Sequence, residues 1–378
     1  MNLFSHFRPI GLFCILILFM ACKDKPNGKP GMEESLVPSL KNTFSYDFFI
    51  GAAINGGAIN GSDTLALDLI RREFNSITPE NIMKWEHIHP FPDKFNFEMP
   101  DKYVRLGQKN NMHIVGHTLV WHSQLAEWVA QVNDSASMAG LLTEHITKIV
   151  GRYKGKIDSW DVVNEALNED GSLRESIFKE VLGDHYLELA FRTAAKADPE
   201  AQLVYNDYNL THPEKREGAI RLVKNLQENG VKIDAIGMQG HWNLERPTLE
   251  EIETSILAYH KAGVKVLITE LDITVLPNPW ELEGAEVSQN FEGNKFMNPY
   301  PESLPDSVQN QLAERYADIF SLFAKHRDKI DRVTFWGIND GASWLNGWPI
   351  KGRTNYPLLF DRNYRPKKAY ESIMKLKK

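Results

Sequence analysis

Eight short apolar or β-branched runs recur along the chain, each separated from the next by enough residues for a helix. They are Phe48–Ala53, Phe74–Thr78, His113–Gly116, Ser159–Val163, Leu203–Tyr205, Ile233–Met238, Val264–Thr269 and Arg332–Trp336. Runs joined this way suit parallel strands, which need a long crossover between neighbours. Several of the intervening stretches have helical period. Ala219, Leu222, Val223 and Leu226 are spaced 3, 1 and 3 apart and are followed by Gly230 as a stop. Thr248 and Glu251 form a capping box that predicts a helix over Leu249–Ala262. Leu141, His145, Ile149 and Tyr153 fall four apart on one face. Eight such units predict an α/β fold, a (β/α)8 barrel forming one catalytic domain. A doubly wound sheet is the alternative, and the chain lacks its dinucleotide fingerprint. The one long gap lies between the seventh and eighth runs. Its Pro/Asn/Glu-rich part, residues 276–307, reads as a loop on the strand-exit side, ahead of a helix over about 308–329.

Before the first run lies an address label. Ile10 to Ala21 is an unbroken apolar run preceded by Arg8. It is too short to span a bilayer, which takes about 20 residues, and reads as a secretory h-region to be set aside in fold reasoning. Cys22 follows directly, then Lys23-Asp24-Lys25, a pattern that resembles a bacterial lipoprotein signal. The resemblance implies cleavage before Cys22, lipid on its thiol, and export to the bacterial envelope, at the outer membrane and facing outward. Residues 1–22 are thus the expected signal, 23–42 a flexible tether with Pro26, Gly28, Pro30 and Gly31, and 43–378 the barrel domain. The two cysteines, Cys14 and Cys22, both lie in the first segment, so no later position supplies a disulfide, a thiolate metal site or a cysteine nucleophile. A net charge of −7 argues against nucleic acid as a partner and against a polyanionic substrate.

The polar residues concentrate where the runs end. The second run exits into Thr78-Pro79-Glu80-Asn81, the fourth into Asn164-Glu165, the fifth into Asn206-Asp207, the sixth into Gln239-Gly240-His241 and the seventh into Glu270-Leu271-Asp272. In a barrel these exits share one mouth, where active sites sit. A buried acid beside an apolar strand is costly unless it is paired or functional. Asp207 taken alone reads as a salt bridge or helix cap, but the ring of exits is hard to explain that way. Glu165 and Glu270 stand on the fourth and seventh runs, across the mouth from each other. Two opposed carboxylates are the minimal equipment for glycoside hydrolysis, one protonating the leaving oxygen while the other attacks or guides water. Nine Trp and twelve Tyr offer faces on which sugar rings stack.

At these residues a resemblance becomes specific. Thr78-Pro79-Glu80-Asn81 with Met83-Lys84-Trp85, the string Gly116 to Gln124 (GHTLVWHSQ), Trp160-Asp161-Val162-Val163-Asn164-Glu165, Gln239-Gly240-His241, Ile268-Thr269-Glu270-Leu271-Asp272, and Phe335-Trp336-Gly337 with Asp340 and Ser343-Trp344 resemble glycoside hydrolase family 10. The likeness runs in order over about residues 44–378. It implies a retaining endo-β-1,4-xylanase acting on xylan and xylo-oligosaccharides without a cofactor or metal, expected as a monomer. By the same resemblance Glu165 is the general acid/base and Glu270 the nucleophile. His241 and Asp272 support Glu270, and Asn164 binds a sugar 2-hydroxyl. Glu80, Asn81, Lys84, His117, Trp121, Gln124, Gln239, Trp336 and Trp344 line the glycone side, and Tyr208 lies on the leaving-group side. The 276–307 segment departs from the family pattern and puts the outer subsites in question.

Other patterns weigh less. Gly56-x4-Gly61 lacks the Lys-Ser/Thr of a phosphate loop. His117 and His122 are not in metal-ligand spacing, and His122 reads as a structural histidine. Trp85 and Trp160 read as core. Two alternatives to a xylanase are carried: a surface glycan-binding protein that lost its chemistry, and the same barrel acting on β-1,4-glucans or aryl cellobiosides. Loss of chemistry would show first at Glu165 or Glu270, and both are present.

Overall fold

The computed structural model describes residues 38–282 and 284–377. The apolar leader, Cys14, Cys22 and residues 23–37 of the expected tether lie outside the described residues. Nine strands form among the described residues: β1 (Phe49–Ile54), β2 (Ser76–Pro79), β3 (His113–Trp121), β4 (Ser159–Asn164), β5 (Gln202–Asp207), β6 (Ala235–Met238), β7 (His241–Asn243), β8 (Lys265–Thr274) and β9 (Ile330–Phe335). Eight of them close a parallel ring in the order β1, β2, β3, β4, β5, β6, β8, β9 and back to β1, with β6 bonded directly to β8. Helices fill the crossovers, so the expected (β/α)8 barrel is the fold.

The short strand β7 has no counterpart among the eight apolar runs. After β6 the chain turns at Gly240, whose φ of +92° suits glycine, and β7 then pairs with the upper end of β8 through His241 opposite Asp272. Two barrel strands also run further than their apolar cores suggest. β3 continues past an irregularity between His117 and Val120 to Trp121, and β8 reaches Thr274. Their last residues are the polar exits, which remain in the ladder because neighbouring strands still offer backbone partners. The last long helix spans Asp306–Lys325, two residues earlier at its start than expected. The expected tether is also shorter at its C-terminal end. Leu40–Thr43 is a helical turn, Leu40 is fully buried, and its N–H donates to Glu73 Oε2 at 3.0 Å. The burial of an apolar side chain ties this turn to the barrel domain, which therefore starts ahead of residue 43.

The helical patterns bury as their spacing requires. The helix Pro213–Glu228 covers the barrel with Ala219, Leu222, Val223 and Leu226, and the capping box of Thr248 and Glu251 is formed at the start of Leu249–Lys261. Alternation along each strand separates two cores. Between sheet and helices lies the large one, including Trp160 and Trp85. Inside the barrel Val204, Ala235 and Leu267 form a small apolar cluster. The opposite wall is polar: Gly51 sits so close to Thr334 and Ser76 that a Cβ there would lie 2.8 Å from Thr334 Oγ1.

Gly116 gives the sharpest packing constraint of the outer core. The Trp160 ring covers its Cα, and a Cβ would come within 2.1 Å of Cε3. Overpacking of a filled core costs about 1–3 kcal/mol. Gly116→Ala is therefore expected to lower Tm by several degrees in a thermal melt; an unchanged Tm would mean that the ring is free to move away.

Candidate active site

Every polar exit named from the sequence opens onto one end of the barrel. There, Glu80, Asn81, Lys84, His117, Trp121, Gln124, Asn164, Glu165, Gln239, His241, Glu270, Trp336 and Trp344 line a single cleft of about 190 Å³. Glu165 follows the last residue of β4 and has φ +56°, a left-handed backbone uncommon outside glycine. Two hydrogen bonds hold that turn: its N–H donates to Asn206 O at 2.8 Å, and Arg174 Nε donates to its carbonyl at 3.1 Å. The turn places the carboxyl under Trp121 Nε1, which donates to Oε2 at 2.7 Å, and beside Gln239 Nε2, which donates to Oε1 at 2.8 Å. Burial raises the pKa of Glu165, the negative charge of Asp207 adds to this, and His122 and Gln239 only partly oppose it.

Glu270 has the contrary environment. Asn206 Nδ2 donates to its Oε1 at 2.8 Å, and His241 Nε2 lies 3.2 Å from its Oε2. Burial would raise its pKa, but the His241 hydrogen bond, the fields of His117 and His241, and the Asn206 amide together hold it below the ordinary value. His241 is itself held by Asp272, Nδ1 to Oδ1 at 3.0 Å, and Asp272 accepts from Trp344 Nε1 at 2.8 Å. Burial works against a charged imidazole there. The charge and hydrogen bond of Asp272, with Glu270 on the other nitrogen, nevertheless raise the His241 pKa to about 10. Two carboxyl groups in one cleft with pKa values driven apart can serve as an acid and an anionic nucleophile or base at the same pH.

The remaining wall is polar on one side and aromatic on the other. Lys84 Nζ donates to Asn81 Oδ1 and to Gln124 Oε1, both at 2.9 Å, and lies 4.9 Å from the Trp121 ring centroid. Burial lowers its pKa against the pull of Glu270, Glu80 and Glu165; Glu80 is raised, again by burial, with Lys84 opposing. His117 is oriented by Asp161, Nδ1 to Oδ2 at 2.9 Å, and meets Trp336 edge-on. Trp344 packs on His241 and stacks on Trp348 at 4.4 Å. Asn164 Oδ1 accepts from Asn206 Nδ2 at 2.8 Å.

Two of the named residues do not line this cleft. Asp272 acts from behind His241. Tyr208 is buried, with Lys215 Nζ 3.6 Å from its ring centroid and its hydroxyl bound to Arg174 Nη2 at 2.6 Å. Asp207, as its salt-bridge reading suggested, pairs with Lys215 at 3.0 Å, each fully buried. His122 is less self-contained than a structural histidine: Nε2 faces Glu286 at 3.1 Å, and Nδ1 is buried with no partner among the described residues.

The sequence reading assigned no role to Asn206, Arg174 or the residues 285–287. Asn206 joins Asn164 to Glu270, and its place in the fifth exit, two residues after the inward Val204, was the available signal. Ala285 and Val287 also line the cleft, although they come from the 276–307 segment. No periodicity or spacing marks them.

The model of Glycosyl hydrolase family 10 matches residues 39–376. An endo-1,4-beta-xylanase A of Xylanibacter ruminicola is 43% identical over 90% of this chain and 93% of its own length. An endo-1,4-beta-xylanase of Geobacillus stearothermophilus is 42% identical over 90% and 99%. Among solved structures, a GH10 endoxylanase retrieved from sugarcane soil metagenome superposes with a TM-score of 0.86 at 44% identity, covering 90% of this chain and all of that one. A Paenibacillus barcinonensis xylanase complexed with a conduramine derivative gives 0.80 at 35% identity, covering 90% and 99%. With the fold, the order of the site strings and these likenesses in agreement, the chain belongs to glycosyl hydrolase family 10.

Proposed function

We propose that the chain cleaves β-1,4-xylosidic bonds within xylan by double displacement, with Glu165 as acid/base and Glu270 as nucleophile. The activity is that of an endo-1,4-β-xylanase, the name carried by relatives that match nine-tenths of this chain. The observation that carries the residue assignment is that one cleft holds two carboxyls whose hydrogen-bond partners and neighbouring charges push their pKa values in opposite directions. Glu165 gives its proton to the glycosidic oxygen while a Glu270 oxygen bonds to the anomeric carbon, and the leaving sugar departs with the pair of the broken C–O bond. In the second half Glu165 takes a proton from water, the water oxygen bonds to the same carbon, and Glu270 leaves as carboxylate. The charge of Glu270 is one cause of the raised Glu165 pKa. Esterification removes that charge, so Glu165 loses its proton more readily when it must act as base.

Around this pair, Asn164 suits the sugar 2-hydroxyl. Lys84, Glu80, Asn81, Gln124 and His117 supply hydrogen bonds to the glycone ring. Trp336 and Trp344 form a wall that favours xylose, which lacks the exocyclic CH2OH of glucose. The apolar leader ending at Cys22 supports export and a lipid anchor in the bacterial envelope.

Three outcomes test these assignments. Glu165→Ala should lose roughly 10²–10⁴ in rate on xylan. It should still release a burst of dinitrophenol from dinitrophenyl xylobioside, a leaving group that needs no proton, and azide should restore turnover with retained configuration. Equal losses on both substrates with no burst would remove Glu165 from the role.

The pH profile tests the support of Glu270. Activity needs Glu270 ionised and Glu165 protonated, so kcat/KM falls as pH drops through the lowered pKa of Glu270 and as it rises through the raised pKa of Glu165. His241→Asn removes the donor that lowers Glu270, so the acid limb should move to higher pH and narrow the bell from that side. An acid limb that stays in place would assign the low pKa to another cause.

For the anchor, Cys22→Ser should leave the protein unprocessed or release it from the membrane fraction. Wild-type protein found wholly soluble and cleaved well beyond Cys22 would refute lipidation.

A further inference from the structure

The 276–307 segment begins at the end of β8, the seventh strand of the ring, yet touches the end of the third. Strands three and seven of an eight-stranded ring lie diametrically opposite, and the chain between them passes the exits of β5 at Tyr208, of β4 at Arg174 and of β3 at His122. It is fastened at Glu286. Its carboxylate accepts from Arg174 Nη1 at 3.0 Å, beyond the exit of β4, and lies 3.1 Å from His122 Nε2, just after the end of β3. The hydrogen bond to His122 is the largest cause of a Glu286 pKa lowered to about 2, which favours the carboxylate that these donors hold. Gly284, with φ +59°, lies flat on Tyr208: a Cβ there would come 2.3 Å from Cε2 of the ring. The chain then returns, Phe291 N–H donating to Pro349 O at 2.9 Å and Gly293 packing on Ile350, on the loop that follows β9.

This fastening lies on the acid side of the cleft. Arg174, the anchor of the latch, also donates to the Glu165 carbonyl and to the Tyr208 hydroxyl. A general acid stands beside the oxygen it protonates, so the leaving half of the sugar chain must pass this point. Ala285 and Val287, on either side of Glu286, line the space that holds Glu165 and Glu270. Residues 285 and 287 therefore form part of the cleft wall on the side where the leaving sugars pass.

We propose that Gly284–Ser288 is a strap across the sugar cleft and that Glu286 is the specificity-determining residue that latches it. With the latch fastened the enzyme favours short, linear xylo-oligosaccharides, which enter end-on beneath the strap. Cleavage inside a long or decorated xylan requires the latch to open. This rests on the xylanase reading above, and its test separates the two.

Wild type, Glu286→Ala and Glu286→Gln are compared on linear xylohexaose and on a soluble glucuronoxylan. Glu286→Ala should raise the ratio of kcat/KM for polymer over hexaose by roughly fivefold, equivalent to about 1 kcal/mol. The gain should come through a lower KM on the polymer. Glu286→Gln keeps the hydrogen-bonding shape without the charge and should fall between. Trypsin cleavage after Lys295 should quicken in the same order, which reads the latch directly. Wild-type ratios in both variants, with faster trypsin cleavage, would overturn the strap as a determinant of specificity. Unchanged trypsin cleavage in both would overturn the latch itself. A wild-type protein that cleaves neither substrate would instead sink the xylanase reading.

Discussion

Closure of the parallel sheet is the constraint on which everything else in this protein depends. Hydrogen bonding β6 directly to β8 and β9 back to β1 leaves no strand edge in the ring and makes all eight exits face the same way. Alternation along the strands then sends every second side chain inward. Near the closed end the inward positions hold Val204, Ala235 and Leu267 on one side and small polar groups on the other. At the open end they hold Asn206, His117, Gln239 and Glu270. The stability of the lower barrel fixes the backbone from which these groups project, so their geometry costs little further ordering.

On that frame the two carboxyls are tuned by partners that belong to other strands. Glu165 receives Trp121 from β3 and Gln239 from the β6 exit; Glu270 receives Asn206 from β5 and His241 from β7. Burial acts on both in the same direction, upward, and the hydrogen-bonded imidazole of His241, the field of His117 and the Asn206 amide together reverse it for Glu270. The difference between the proposed acid and the proposed nucleophile is therefore not in the glutamates but in the groups around them: Asp207 beside Glu165, and His241, His117 and Asn206 beside Glu270. Asp272 and Trp344 extend the support outward: Trp344 orients Asp272, Asp272 holds His241, and His241 faces Glu270. Trp344 in the cleft wall is thus tied to the charge state of Glu270, the proposed nucleophile. Substitutions there are expected to disturb chemistry as well as binding.

Much of this was legible in the sequence. Eight apolar runs gave the ring, because a buried parallel strand must be nearly all apolar and short. The capping box at Thr248 and the 3, 1, 3 spacing around Leu222 gave helix starts and faces, because capping and helical period are local properties. The polar exits named the cleft residues, since a polar group at the end of an apolar run has one place to go in a barrel. The family strings added roles that no spacing could supply.

What local pattern could not reach was decided by contacts between segments far apart in the chain. β7 exists only because the turn at Gly240 brings His241 beside Asp272, which lies 31 residues later. Tyr208 stands in a promising exit, yet Arg174 and Lys215 claim it beneath the surface of the cleft. The residues 285–287 reach the cleft because Glu286 finds Arg174 and His122, 112 and 164 residues earlier. A loop without period or turn signature has no preferred path of its own, and an ion pair whose partners come from three strand exits has no image in any stretch of sequence. The sequence by itself determined the barrel, its open end and the two carboxylates. Tertiary structure alone decided which groups donate to each carboxylate and what passes beside them, because those are pairings through space and depend on the ring having closed first.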